Sequence, residues 1–208
     1  MRDLFFRLGL PAVVVAAACS SSSSDAALTV QAPQPAVASA PVEQGDTSIA
    51  YFAGGCFWGV EHYLEQMDGV VSVESGYMGG EVDNPTYRQV SSETTGHIET
   101  VRVRFDATRI EYAAVAKRFF EIHDPTQANG QGPDVGSQYV SAVFYTGPEQ
   151  KAATDVLIGK LRSRGYAVVT EVRAAGEFFT AEDYHQDYYG KNGKKPYCHT
   201  RVKRFGDD

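Results

Sequence analysis

A short apolar run, Ser48 to Ala53, ends in Gly54-Gly55 and is followed at once by Cys56-Phe57-Trp58-Gly59. No other stretch constrains the fold as much. An apolar run of strand length that stops at two glycines reads as a buried strand and a tight turn. Val60, Tyr63, Leu64 and Met67 then recur at helical spacing, which predicts a helix from about Cys56 to Gln66 that stops before Gly69. Cys56 thus falls where a strand hands over to a helix. A thiol at a helix N-terminus faces unpaired backbone N–H groups and the positive end of the dipole, and both favour the nucleophilic thiolate. The glycines let the backbone bend so that the sulfur points outward. Phe57 and Trp58 cannot both face the core, so one or both should wall an apolar pocket beside the sulfur. The bland reading, a buried inert cysteine, suits this setting poorly.

Further along, Val70–Tyr77 reads as a strand closed by Gly79-Gly80, and His97–Phe105 alternates as a strand should. Glu111–Ile122 carries Tyr112, Val115, Phe119 and Ile122 on one helical face. Gln138–Tyr145 and Ala167–Arg173 are predicted strands, Pro148–Arg164 a helix with proline at its start, and Glu182–Tyr189 a last short helix. Strands and helices mix irregularly, without an internal repeat. That favours an α+β fold, a two-layer α/β sandwich, over a doubly wound parallel sheet.

The first 47 residues lie outside this domain. Arg2 and Arg7 precede an apolar stretch, Leu8 to Ala18, that is too short to span a bilayer and ends in Ala16-Ala17-Ala18. Residues 1–18 read as a secretory signal. Cys19 follows directly, as in a bacterial lipoprotein signal, although Ala16 stands where leucine is usual. Lipidated N-terminus and incidental thiol are both readings of Cys19. Residues 19–47 are rich in Ser, Ala, Pro, Val and Gln without periodicity, so they form a flexible tether to a domain spanning 48–208. The expected address is extracytoplasmic, periplasm or cell envelope, with the membrane touched only through the lipid.

A net charge of -7 argues against a nucleic-acid groove. The basic residues Lys191, Lys194, Lys195, Arg201, Lys203 and Arg204 read as a solvated tail. Three cysteines make no disulfide scaffold. The histidines (His62, His97, His123, His185, His199) show no H-x-x-x-H spacing and no C-x-x-C exists, so no metal is expected. Glu99, between Ile98 and Val101, has two readings on pattern alone: a desolvated carboxyl that stays protonated and acts as an acid, or a solvent-facing strand residue. Asp134 and Tyr139, in and beside a polar loop from His123 to Gly136, are candidate hydrogen-bonding groups.

Taken together, GGCFWG (54–59), GYMGG (76–80), NPTY (84–87), TGHIE (95–99), HDPT (123–126), QGPDVGSQY (131–139) and EDYHQDYY (182–189) resemble the peptide methionine sulfoxide reductase A family, over about Ile49 to Cys198. The resemblance implies a ferredoxin-like core with a mixed or antiparallel sheet and an irregular C-terminal tail. It implies reduction of the S epimer of methionine sulfoxide, free or in oxidised proteins, with no cofactor beyond an external thioredoxin-like reductant, by a monomer. It implies that Cys56 attacks the sulfoxide sulfur and that Glu99 protonates or hydrogen-bonds the oxygen. Tyr87 and Tyr139 would bond that oxygen, Asp134 would assist, and Phe57 and Trp58 would cup the methyl group. Attack leaves a sulfenic acid on Cys56. Cys198, in a Gly/Lys-rich tail able to swing inward, is the candidate resolving thiol, with a bystander role as the alternative. Val140 replaces a usual arginine and Ser91 a common cysteine, away from the proposed chemistry. Two other classes compete: a Cys-dependent hydrolase or acyl-transfer enzyme, and a lipoprotein binding module with an apolar pocket.

Overall fold

A computed structural model of the chain describes residues 47–206, so the signal, most of the tether and Cys19 lie outside the described residues. In chain order the elements are β1 (Thr47–Gly54), α1 (Phe57–Glu65), β2 (Val70–Met78), α2 (Tyr87–Val90), β3 (Ile98–Asp106), α3 (Tyr112–Ile122), β4 (Gly130–Gln131), β5 (Asp134–Val135), a 3-10 turn (Ser137–Tyr139), β6 (Ser141–Tyr145), α4 (Pro148–Ser163), β7 (Glu171–Ala174), β8 (Phe178–Thr180) and α5 (Tyr188–Asn192).

Six strands form one sheet in the order β7-β6-β1-β3-β2-β8. The pairing of β6 with β7 is parallel and the other four are antiparallel. Within it, β1-α1-β2 and β3-α3-β6 interleave as β6-β1-β3-β2, the ferredoxin-like arrangement expected above. The edges are extended by β7, reached through α4, and by β8. β4 and β5 pair separately.

Strand alternation decides which side chains reach the helices. Ala50 and Phe52 of β1 and Val101, Val103 and Phe105 of β3 share a buried cluster with Val60 and Leu64 of α1, Phe119 of α3 and Leu161 of α4. Each large side chain so buried contributes roughly 1.5–3 kcal/mol. A smaller cluster on the opposite side holds Ala53, Met78, Ile98, Ala142 and Phe144, with Tyr51 and Phe178 packed against it. Local signals set the ends of several helices. α4 has Pro148 at its start, Glu149 in its first turn and Lys160 and Arg162 in its last. The short α2 is held by a reciprocal Thr86–Gln89 capping box.

Several boundaries differ from the sequence expectation. The strand predicted from Gln138 starts at Ser141, because residues 137–139 coil into the 3-10 turn. Residues 182–187 form turns, not the first part of a helix, and Asp187 sits at φ 51° before α5 begins. The left-handed backbone at Asp187 separates these turns from the helix that follows. The basic tail is largely exposed, as expected, but two of its arginines are tied to the fold. Arg201 pairs with the buried carboxylate of Glu121, and Arg204 donates to the carbonyls of Phe120 and Glu121.

Candidate active site

Gly55 turns the chain at φ +91°, and a Cβ there would lie 2.3 Å from Cβ of Gln131. Only glycine fits both conformation and space. Cys56 then takes the N-cap position of α1. Its Sγ lies within 4.8 Å of the Cys198 sulfur, with the Trp58 N–H nearby. In the resting protein the groups around Cys56 oppose the thiolate that a helix N-terminus favours. The Cys198 thiol beside it, then burial, push Cys56 well up, and the Trp58 N–H offsets only part of this. At rest Cys56 is a thiol.

Alternation along β3 settles the two readings of Glu99. It lies on the same face as Val101 and Val103 and is 1% exposed. Its Oε2 accepts the Phe57 N–H at 3.0 Å, so the carboxyl of β3 caps α1 next to Cys56. Burial, then the proximity of Cys56, hold Glu99 well above the usual carboxylate range despite that N–H. Both favour its protonated form.

Tyr87, at the start of α2, and Tyr139, in the 3-10 turn, are half-buried and lie near each other and Glu99. Burial and the nearby Glu99 raise both phenols, so each keeps its O–H. Asp134 accepts the Tyr197 hydroxyl at 2.9 and 3.0 Å. Its carboxylate and the sulfurs of Cys56 and Cys198 lie within 4.8 Å of one another. Two thiolates and a carboxylate are a donor set that a thiophilic divalent ion accepts, but two apposed free thiols are equally what a redox pair requires. Cys198 need not swing inward; it is already buried against Cys56.

Trp58 is half-buried, with its ring stacked on Tyr188 at 3.7 Å and its Nε1 donating to His185 Nδ1 at 3.1 Å. Phe57 is 1% exposed and packs on Tyr77, His185 and Trp58, so it is a core residue beneath the Trp58 wall. Sequence reasoning missed the supports of this wall. The segment 182–188 supplies them: Glu182 accepts from the Tyr87 N–H and the Tyr77 hydroxyl, His185 anchors Trp58, and Gln186 bonds the Ser75 backbone. A usable signal was the density of hydrogen-bonding side chains in a segment too short for a core helix.

His199 was also missed. Its ring is 1% exposed, with Nδ1 3.0 Å from Cys198 Sγ and Nε2 2.8 Å from the Gly54 carbonyl oxygen. The hydrolase reading needs a histidine base on Cys56; His199 bonds Cys198 instead.

The sequence model of the family described as peptide methionine sulfoxide reductase matches residues 48–208. A peptide methionine sulfoxide reductase MsrA from Saccharolobus solfataricus is 45% identical over 162 residues, covering 76% of this chain and 92% of that protein. The protein of the same name from Psychrobacter sp. is 53% identical over 147 residues, covering 70% and 84%. Among solved structures, reduced Mxr1 from Saccharomyces cerevisiae superposes with a TM-score of 0.70 at 31% identity, covering 74% of this chain and 92% of that one. Methionine sulfoxide reductase A of Corynebacterium diphtheriae gives 0.66 at 35% identity, covering 74% and 80%.

Proposed function

This chain belongs to the peptide methionine sulfoxide reductase family, and we propose that it reduces the S epimer of methionine sulfoxide through Cys56, with Glu99 as the acid. The enzyme is an oxidoreductase that works with thiols and carries no prosthetic group. One observation carries the assignment of roles: a carboxyl, 1% exposed and shifted toward its protonated form, is fixed on the first N–H of the helix that presents the only thiol of the GGCFWG segment.

The chemistry follows from that placement. The sulfur of a sulfoxide is electrophilic, but its oxygen leaves only as it gains protons. Cys56 attacks the sulfoxide sulfur while Glu99 protonates the oxygen, and Tyr87 and Tyr139 donate to it. Sulfide leaves, the oxygen passes to Cys56 as a sulfenic acid, and the thiol proton of Cys56 restores Glu99. Trp58, packed over Phe57, takes the methyl group. Asp134 holds the polar side of the site. Cys198 then condenses with the sulfenic acid to give a disulfide and water.

The disulfide is reopened by a thioredoxin-like dithiol. Mxr1 has been solved in complex with Trx2, and an electron donor of that class suits a disulfide formed here. From the signal-like residues 1–18 and the tether, we infer an extracytoplasmic monomer anchored through a lipid on Cys19. Cys19→Ala is then expected to move the protein from the membrane fraction to the soluble fraction on detergent partitioning. Unchanged partitioning would remove the anchor.

The reading is tested with the two sulfoxide epimers supplied separately, without reductant. The S epimer is expected to yield one methionine per enzyme with loss of two thiols, and a Cys56–Cys198 peptide in the digest. The R epimer should yield none. Equal yields from both would overturn the epimer assignment.

A further inference from the structure

We propose that His199 is the general base of the disulfide step, taking the proton of the Cys198 thiol so that Cys198 can attack Cys56. The inference deepens the reading of Cys198 as the resolving thiol and rests on it.

The tautomer is fixed by the hydrogen bonds. A carbonyl oxygen only accepts, so the 2.8 Å contact to Gly54 places the hydrogen on Nε2. Nδ1 is then a bare lone pair, 3.0 Å from Cys198 Sγ, and the thiol is the donor. The ring cannot easily turn away. A Cβ at Gly59 would lie 2.1 Å from Nδ1, and one at Gly55 3.6 Å from Cε1, so glycines of the GGCFWG segment shape the slot in which the imidazole lies. The segment that presents the nucleophile thus also seats the base of its resolving partner.

An ordinary thiol, with a pKa of about 8.5, is mostly protonated at neutral pH, and only the thiolate attacks. The groups facing His199 are the Cys198 thiol, the Asp134 carboxylate, which favours its cation, and buried His123, which is itself neutral. Burial outweighs Asp134 and holds the imidazole below its ordinary value, so it is available as a base. In the step, Nδ1 takes the thiol proton and Cys198 Sγ bonds to Cys56 Sγ. The S–O bond breaks with its electron pair on oxygen, and the imidazolium gives up the proton. Thiol hydrogen and hydroxyl leave as water, and no oxidant is consumed.

The test separates the two half-reactions in a single turnover with the S epimer, following methionine by chromatography and sulfenic acid by dimedone trapping. His199→Gln should still give one methionine per enzyme. Its disulfide should form about 10²-fold more slowly, with sulfenic acid accumulating, and the deficit should shrink as pH rises and hydroxide replaces the base. A wild-type rate in the variant overturns the proposal, as does an equal deficit at every pH, which is the mark of a packing role. Should the variant fail to fold, the wild-type profile decides. A histidine base gives a disulfide rate that is level across neutral pH, whereas an unassisted thiol gives a rate climbing to about pH 8.5. If the wild type makes methionine but never a Cys56–Cys198 disulfide, the resolving role of Cys198 fails, and His199 with it, while the reductase reading stands.

Discussion

Cys56→Ser protein is expected to release no methionine above background from methionine-S-sulfoxide in a single turnover, at any pH. Size is not the reason, since a serine hydroxyl occupies the N-cap of α1 at least as well as a thiol. The reason is the atom balance. Reduction moves the sulfoxide oxygen onto the attacking atom. On sulfur that gives a sulfenic acid, an accessible and reversible rung of the cysteine oxidation ladder. On a serine oxygen it would give a hydroperoxide, whose weak O–O bond makes the step steeply uphill. Cys198 does not stand in for Cys56. Glu99 is bonded to the first N–H of α1 beside Cys56, whereas Cys198 faces the imidazole of His199. Methionine release at the wild-type rate, with Cys198 consumed, would show that Cys198 is the nucleophile and reverse the two roles.

The central strands, the three longer helices (α1, α3 and α4) and the Gly-Gly-Cys junction were legible because their signals are local: runs, alternation and 3.6-residue spacing each read within a dozen positions. Glu99 shows where local reading stops. Its neighbours Ile98 and Val101 fit either face of β3, and only the packing of α1 over one face makes that face dry. β8 escaped notice because Phe178–Thr180 is three residues long and is a strand only by pairing with Gly76–Met78, about a hundred residues earlier. The tail was only partly legible for a related reason. Its lysines are exposed as the sequence suggests, yet Cys198 and His199 within it and Phe205 after it are buried, and two of the arginines are tied to the end of α3. The identities of the reacting groups were therefore readable, while the groups that seat them, His185, Tyr188 and His199, depend on contacts between distant parts of the chain.

Glu99→Gln is expected to slow methionine formation by about 10²–10⁴-fold while leaving the fold intact. Glutamine keeps an oxygen that can accept the Phe57 N–H, so α1 retains its cap, but it has no proton to give to the departing oxygen. The pH dependence carries the sharper signature. Glu99 is raised well above the usual range, chiefly by burial, so the active protonated form persists beyond the ordinary carboxylate range and is lost above its shifted pKa. Wild-type single-turnover rates should fall on that alkaline limb, and the limb should be missing from the variant. Stability should move with the same titration. An acid whose pKa is raised by folding contributes stability that is fully present below its unfolded value, about 4.3, and is lost as pH rises through the folded value. The wild type should therefore lose stability against Glu99→Gln with rising pH, and the two should draw together below about pH 4, as urea midpoints would record. A variant that keeps the alkaline limb would assign that limb to another group, and a variant with the wild-type rate would remove Glu99 from the chemistry altogether.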